Sequence, residues 1–432
     1  MKISIQKILP GLLIGSTLLG ASTIPAVLDY ETVVALAREN NYSIRQAEAR
    51  LEEAEGQTLN ARSGRLPRLE LLGGYSRVDE NKLESFEGSP IGDDQAWSLD
   101  LQASQQLYSG GAITSGIDSA MASQSAAEAQ YSQAVQDALL VVHEAWFRVL
   151  LNREEVTVRQ AAVDLLERQL QTTRDRYETG SDSRFELLRA EVALANGKPQ
   201  LIRAKNDFRL SIVDLLLYLG LEIPEEVNTQ IVGELTYKPN EIDLSSALSM
   251  ARQNRPEYIS LDRSIDAAEA QVRGARSGGL PNLNLVAGYG IQKSGFSNAL
   301  DDTRHGWTVG LQGSWTIWDG QATRGNVLSA QSRLRQSELA RSELDLLVGS
   351  EIRQALSSIQ EAEELVEASR KVVDQAEEVL ELAEDRYSVG SVIQLDIYEA
   401  QLSLTRARTN AVQALHDYNI AVARLKRAVG LL

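Results

Sequence analysis

The sequence predicts a mainly α-helical protein with a transmembrane β-barrel contribution, built from two copies of one structural repeat. Residues 175–181, DRYETGS, return 210 positions later as residues 385–391, DRYSVGS, and matching flanks indicate that the whole chain is a duplication. Four segments of about ten residues alternate apolar and polar side chains, which is the period of a β-strand. Two long tracts free of proline, 112–178 and 322–388, have the period of a helix.

Composition supports long helices and limits the classes of partner. Only 5% of the 432 residues are aromatic and 9 are proline, which suits helices packed through small side chains better than a compact enzyme core. The chain has no cysteine, so it forms neither a disulfide framework nor a thiolate site. A net charge of −17 argues against nucleic acid as a partner. The acid excess fits solvated helix faces, and acidic groups lining a water-filled passage are the alternative.

Residues 1–26 have the features of a secretory signal peptide. Lys2 and Lys7 supply a positive start, residues 8–21 form an apolar run too short to span a membrane, and small residues follow. No later segment reaches the ~20 apolar residues that a membrane helix needs. The sequence therefore predicts an exported protein whose strands must supply any membrane insertion.

Two hairpins, 66–107 and 281–317, contain the four alternating segments. One face is apolar with aromatic residues near the ends and the other is polar, which is typical of barrel strands with lipid outside and water inside. The aromatic residues that we assign to the lipid interface are Tyr75, Trp97, Tyr289, Trp307 and Trp315. A soluble sheet packed on a core is the alternative. Four strands cannot close a barrel, so the membrane interpretation requires at least two chains.

The helices complete each repeat. A first helix over residues 30–62 precedes the breakers Gly64 and Pro67, and Gly278 and Pro281 act likewise in the second half. The long helices 112–178 and 322–388 turn back at Gly180 and Gly390 into return helices. The predicted organisation is repeat 27–220 with return helix 185–219, an irregular linker 221–241, and repeat 242–432 with return helix 395–429. Two adjacent seams of small and apolar residues in 322–388 favour a closed ring of helices.

This ordered set of motifs resembles the TolC-like outer membrane efflux proteins over essentially everything after the signal segment. The resemblance implies a homotrimer with a shared 12-stranded barrel in outer-membrane lipid and a periplasmic tunnel of antiparallel coiled-coil helices. The tunnel tip is implied to contact a periplasmic adaptor (membrane fusion) protein and an inner-membrane pump. The implied function is passive export of small toxic compounds or secreted proteins, as in tripartite efflux or type I secretion.

The resemblance also implies a pore constriction near the tip formed by Asp396, Glu399, Tyr387 and Glu186. The family places an arginine two residues after the tip glycine, where this chain has Val392, and Arg184 is a candidate substitute. Two alternatives stay open. Asp396 and Glu399 are also placed to stabilise a helix N-terminus, and Glu186 is placed to close a capping box with Ser183.

By the same resemblance, the residues that face the adaptor are the two turns Thr179, Gly180 and Ser181, and Val389, Gly390 and Ser391. As turn residues alone they predict no partner.

Nothing in the sequence predicts an enzyme. His143, His305 and His416 lie far apart and have no counterparts in the other repeat, and no glycine-rich phosphate loop is present. We therefore expect no catalytic, cofactor-binding or metal-binding residues, and three histidines and three methionines do not favour a metal-efflux channel. The alternative from another class is a soluble periplasmic coiled-coil scaffold or adaptor, which would have no use for the four alternating strands.

Overall fold

The computed structural model describes residues 24–79, 84–86, 89–91, 94–225, 229–294 and 299–432. The predicted signal peptide therefore lies, as far as residue 23, outside the described residues. Within the described part of the chain, no helix combines the length and hydropathy needed to cross a membrane.

Eight α-helices occur among the described residues, and two of them are far longer than the rest. Helix α3 (Ala112–Glu178) and helix α7 (Ala322–Ser388) have 67 residues each, so each extends ~100 Å at 1.5 Å per residue. The bounds of both coincide with the predicted tracts. The helices are α1 (Tyr30–Asn40), α2 (Tyr42–Ser63), α3 (Ala112–Glu178), α4 (Arg184–Leu219), α5 (Leu244–Asn254), α6 (Pro256–Arg276), α7 (Ala322–Ser388) and α8 (Gln394–Ala428). A short 3₁₀ helix, Ser277–Gly279, follows α6.

The structure breaks the predicted first helix at Asn41. This residue is extended, with φ −61° and ψ 125°, and it separates α1 from α2. Its side-chain Nδ2 donates to the carbonyl oxygen of Tyr218 at 2.7 Å. Arg255 occupies the equivalent junction between α5 and α6, where Pro256 opens the second helix. No proline or glycine marks the break at Asn41, so a long-range contact rather than local sequence accounts for it.

Four strands form one antiparallel sheet in the order β2-β5-β7-β8. They are β2 (Arg68–Arg77), β5 (Gln95–Tyr108), β7 (Asn282–Lys293) and β8 (Thr303–Ser314). The chain also forms a small hairpin of β3 (Glu84–Phe86) and β4 (Ser89–Ile91), and a parallel pair of β1 (Val27–Leu28) and β6 (Gln230–Ile231). Because β5 pairs with β7, the two repeats share one sheet.

The strand register places side chains of one kind in continuous rows across the sheet. Leu71 pairs with Leu101, Leu101 with Tyr289, and Tyr289 with Trp307, so one face carries an unbroken apolar row. All four side chains are exposed, from 44% for Leu101 to 77% for Trp307. The neighbouring row points to the opposite face and consists of Glu70, Gln102, Gly288 and Thr308. The sheet therefore has one apolar and one polar face, and no described segment of the chain covers this apolar row.

The described residues form two compact units, and each combines segments of both repeats. Unit 1 consists of residues 24–42, 138–225, 229–239 and Ile359–Ala423. Its core includes Trp146, Leu215 and Leu216, which are almost fully buried. Unit 2 consists of Ser43–Asp137, Asn240–Ser358 and Arg424–Leu432, and it contains the four-stranded sheet.

The linker between the repeats is more ordered than the sequence predicts. Its residues 230–231 form β6. Arg153 of α3 donates to the carbonyl oxygens of Ile231 at 3.3 Å and Gly233 at 2.7 Å. A Cβ atom at Gly233 would lie 2.8 Å from the Trp146 ring, so only glycine fits this close approach. Residues 231–233 of the linker are thus part of the packing of unit 1.

Unit 2 contains a cluster of buried ions at the end of α8. Arg255 donates to Glu257 at 3.0 Å and to Glu351 at 2.6 Å, and Arg427 donates to Glu257 at 2.7 Å. Burial opposes ionisation of Glu257, but the hydrogen bonds from the two arginines outweigh it and lower its pKa to about 2. The carboxylate is therefore charged at neutral pH and compensates two buried guanidinium groups.

Candidate functional site at the helix ends

Each long helix ends at a glycine in the left-handed conformation. Gly180 has φ 78° and Gly390 has φ 77°. In the first turn, the N–H of Ser181 donates to the carbonyl oxygen of Arg176 at 2.7 Å, and the second turn repeats this bond between Ser391 and Arg386 at 2.8 Å. These are Schellman caps, which reverse the chain within a few residues. The predicted tip residues Thr179, Gly180, Ser181, Val389, Gly390 and Ser391 are all exposed there.

Tyr387 lies at the centre of a first cluster, the tyrosine cluster, which consists of Arg176, Asp182 and Tyr387. Its hydroxyl donates to Oδ2 of Asp182 at 3.1 Å. The Arg176 guanidinium lies over the tyrosine ring, 4.7 Å from its centroid, and its Nε is 3.5 Å from Oδ1 of Asp182. Burial raises the pKa of Tyr387, and the Asp182 carboxylate raises it further, so the hydroxyl stays protonated and donates.

A second cluster, the amide cluster, surrounds Gln394 at the first position of α8 and includes Thr173, Glu186 and Tyr398. In the amide orientation that satisfies both ends, Nε2 of Gln394 donates to the carbonyl oxygen of Glu186 at 3.2 Å and to its Oε2 at 2.5 Å. Oε1 accepts from the Tyr398 hydroxyl at 2.9 Å and lies 2.7 Å from Oγ1 of Thr173. Burial, together with Tyr387 and Glu186, raises the pKa of Tyr398 to about 12, which keeps this donor protonated.

The three predicted acidic residues lie in different surroundings. Asp396 and Glu399 are exposed on one face of α8, and Oδ2 of Asp396 accepts from the N–H of Ile393 at 3.0 Å. Asp396 thus caps the helix N-terminus, as the alternative interpretation predicts, while its charge stays in solvent. Glu186 is half-buried, and its N–H donates to Oγ of Ser183 at 3.3 Å, which is one half of the capping box.

The two positions considered for an arginine lock contribute no charge to either cluster. Val392 packs against the buried apolar cluster that contains Leu380, Tyr387 and Ile397. Arg184 is exposed, and within the described part of the chain it makes no hydrogen bond or ion pair. The guanidinium near Tyr387 comes instead from Arg176 of the long helix.

The aromatic residues predicted at the lipid interface lie on or next to the sheet. Tyr75 pairs with Trp97 towards one end of β2 and β5, and Tyr289 pairs with Trp307 further along the apolar face. Trp315 follows the last residue of β8, where its Nε1 donates to the carbonyl oxygen of Gly279 at 3.1 Å. Aromatic side chains therefore occur near both ends of the sheet.

Comparison with known proteins identifies the family. The profile of the family described as Outer membrane efflux protein matches residues 33–221 and 247–431, which is most of the chain. The chain belongs to this family.

Similarity to individual relatives covers most of the chain. Outer membrane protein TolC of Salmonella enteritidis is 25% identical over 442 residues, covering 99% of this chain and 87% of the relative. The alkaline protease secretion protein AprF of Pseudomonas aeruginosa is 23% identical, covering 69% of this chain and 62% of the relative. This outer membrane efflux protein is therefore an exit duct of the outer membrane, and its relatives are channel proteins.

Solved structures confirm the fold class of this outer membrane efflux protein. The CmeC outer membrane channel of Campylobacter jejuni has a TM-score of 0.80 at 18% identity, covering 100% of this chain and 93% of that chain. The outer membrane protein VceC of Vibrio cholerae has a TM-score of 0.77 at 19% identity, covering 93% and 95%. The likeness at such low identity shows that the helical and strand framework is common to them.

Sequence reasoning missed most of the residues that make the contacts at the helix ends. Of the residues in the two clusters, the sequence predicted only Tyr387 and Glu186. The members that it missed are Arg176, Asp182, Thr173, Gln394 and Tyr398. A signal was present in the repeat itself. Asp182 occupies the position of Val392, and Arg184 occupies that of Gln394, so these positions differ in charge although the flanking motifs match.

Proposed function

We propose that three copies of this efflux protein close one barrel, each contributing its four-stranded sheet, so that the homotrimer has 12 strands in outer-membrane lipid. The observation that carries this proposal is the exposed apolar row Leu71, Leu101, Tyr289 and Trp307, which the described residues leave uncovered. In the described part of the chain β2 pairs only with β5, and β8 only with β7. Open edges are not tolerated in hydrocarbon, so other copies must pair with them.

The helical ends are proposed to contact a periplasmic adaptor protein, which connects the duct to an inner-membrane pump. The exposed turns at Gly180 and Gly390 suit such a contact because short, well-capped turns present few degrees of freedom. AprF is named for protein secretion and OpmQ, another relative, for pyoverdine export, so relatives serve both large and small cargo. Transport through the duct is passive, the partner supplies energy, and the chain itself carries out no chemistry.

Asp396 and Glu399 are proposed to form the acidic constriction of the pore. They are exposed on the same face of the first turns of α8, so symmetric copies would bring several carboxylates together. Tyr387 and Glu186 are proposed to hold the neighbouring helices that position this face. Tyr75, Trp97, Tyr289, Trp307 and Trp315 are proposed to lie at the lipid interface.

The absence of cysteine gives a direct test of the shared barrel. Cysteine is introduced at Leu71 on the edge strand β2 and, in three separate double variants, at Trp307, Val309 or Leu311 on the edge strand β8. We expect oxidation of outer-membrane fractions to link one of these pairs between copies and to give a covalent trimer on denaturing gels. The single variant Leu71→Cys is the matched control and should give no covalent trimer.

A monomer recovered from the soluble periplasm without detergent would contradict the proposal and favour the scaffold alternative. That alternative is not supported by the family match or by the apolar face of the sheet.

A further inference from the structure

Gln394 is a long polar side chain that is almost completely buried at the first position of α8. Its exposed fraction is 2%. A buried amide destabilises the fold unless its donor and acceptor are both satisfied, because they give up hydrogen bonds to water. The opposite orientation of this amide would point its oxygen at acceptors of Glu186 only, so the surroundings select a single arrangement. A buried amide whose donor and acceptor are both hydrogen-bonded indicates a specific structural role for Gln394.

The partners of Gln394 come from both helices of the first hairpin. Thr173 lies on the last turns of α3, and Glu186 lies on the first turn of α4. Thr173 is fully buried, and its Oγ1 also lies 2.9 Å from the carbonyl oxygen of Gln169. One side chain of α8 therefore joins three helices at the level where α4 and α8 begin.

The first repeat has no amide side chain at the position equivalent to Gln394. The equivalent residue is Arg184, which is exposed and makes no polar contact within the described part of the chain. Gln394 instead has bonds to both ends of its amide. Since Val392 contributes only apolar packing, the α8 side of this junction is uncharged.

Burial of Gln394 sets the rotation of the first turns of α8. Ile397 and Gln401, three and seven positions further on, are buried on the same side. Asp396 and Glu399 must then lie on the opposite, exposed side, because residues three and four apart share a helix face. Whatever fixes Gln394 also fixes the direction of these two carboxylates.

We propose that Gln394 is a positioning residue of the pore gate, holding α8 against α3 and α4 so that Asp396 and Glu399 keep the duct closed. This inference rests on the proposed function. It assigns the closure in this chain to the bond between the Gln394 amide of α8 and the Glu186 carboxylate of α4, with valine rather than arginine at position 392.

The test is single-channel conductance in planar bilayers for the purified full-length protein and three variants. In the wild-type protein, Nε2 of Gln394 lies 2.5 Å from Oε2 of Glu186. The substitution Gln394→Glu replaces this amide with a second carboxylate. Two ionised carboxylates at this distance repel each other, so we expect the helices to separate at pH 7. The loss of one hydrogen bond to a charged group corresponds to about a tenfold rise in open probability. Lowering the pH to about 5 should reverse part of the rise, because the two groups can then share a proton.

The second variant exchanges the partners. Gln394→Glu combined with Glu186→Gln restores one amide and one carboxylate in reverse order, so we expect the open probability to return to within about twofold of the wild-type value. This rescue excludes simple misfolding as the cause of the first result. The matched control is Gln360→Glu, since the exposed Gln360 donates to Glu364 at 3.4 Å on α7. It makes the same chemical change away from the tip and should leave the open probability unaltered.

The outcomes separate this inference from the proposed function. A wild-type protein that forms a mostly closed pore, with the Gln394→Glu variant equally closed at pH 7, overturns the role of Gln394 alone. An elevated open probability that the exchange fails to restore also overturns it. A wild-type protein that gives no conducting pore under any condition overturns the proposed function and this inference with it.

Discussion

Tyr387 and Asp182 are 205 residues apart in the chain, and the tyrosine hydroxyl donates to the Asp182 carboxylate at 3.1 Å. The bond joins the end of α7 to the turn before α4, so it connects the two helical hairpins of unit 1. Arg176 contacts both partners, which makes the carboxylate well compensated although its side chain is only 11% exposed. The ends of the long helices of the two repeats are therefore joined by direct side-chain contacts.

Tyr387→Phe keeps the ring beneath Arg176 but removes the hydrogen-bond donor to Asp182. A hydrogen bond to a charged group contributes about 1.5–3 kcal/mol, so we expect at least about a tenfold rise in open probability in planar bilayers. Tyr177→Phe is the control, because Tyr177 is the equivalent residue of the first repeat and is 39% exposed.

The hydrogen bond from Tyr387 to Asp182 also predicts a change in conductance at alkaline pH. Burial and then Asp182 raise the pKa of Tyr387 above its ordinary value of 10.0, so the protonated tyrosine is the form that the folded state stabilises. Its contribution is complete below pH 10 and is lost as the pH rises through the raised value. Wild-type conductance should therefore increase above about pH 10. A Tyr387→Phe variant with the same alkaline increase would show that another group is responsible.

The charges of Asp396 and Glu399 can be removed without removing the helix cap. Asp396→Asn keeps an oxygen that can accept from the N–H of Ile393, and Glu399→Gln keeps the side-chain shape. We expect the double variant to have higher conductance and weaker block by divalent cations, because fewer carboxylates face the constriction. Glu378→Gln with Glu381→Gln, also exposed and three residues apart on α7, is the control. Equal block in both double variants would show that Asp396 and Glu399 do not line the pore.

Glu257→Gln leaves Arg255 and Arg427 buried without their shared carboxylate. Breaking a buried ion pair on one side costs about 3 kcal/mol, so we expect a lower free energy of unfolding at pH 7. The pKa of Glu257 is lowered from 4.5 to about 2, so its contribution is complete above pH 4.5 and is lost as the pH falls toward 2.

Thermal unfolding in detergent, followed by circular dichroism between pH 7 and pH 2, measures this effect. The wild-type protein should lose stability over the acidic range, and the difference from Glu257→Gln should shrink there. Glu269→Gln, an exposed position on the same helix, should follow the wild-type curve.

Leu101→Arg tests which face of the sheet meets lipid. Leu101 belongs to the apolar row, and an arginine near the middle of a lipid-facing strand costs about 2–4 kcal/mol. We expect much less protein in the outer membrane. Gln102→Arg is the ideal control because the adjacent side chain points to the polar face, and its level should be close to wild type. Equal loss in both variants would contradict the lipid-facing assignment.

The fold was largely predictable from sequence, because hydrophobic periodicity and helix-breaking residues are local features of the chain. Alternation predicted the four long strands, and the absence of proline predicted α3 and α7. The break at Asn41 was missed because it depends on the carbonyl oxygen of Tyr218, far along the chain. The contacts at the helix ends were missed for the same reason. The amide cluster is formed by side chains from α3, α4 and α8, and no spacing within one segment reveals it.

The open edges of the four-stranded sheet also constrain biogenesis. Each backbone group left without a hydrogen bond in hydrocarbon costs several kcal/mol, so a single chain is not stable in the membrane. If three copies share one barrel, as proposed, their association must be coupled to membrane insertion. The yield of mature duct should then depend on the concentration of unassembled chains in the periplasm.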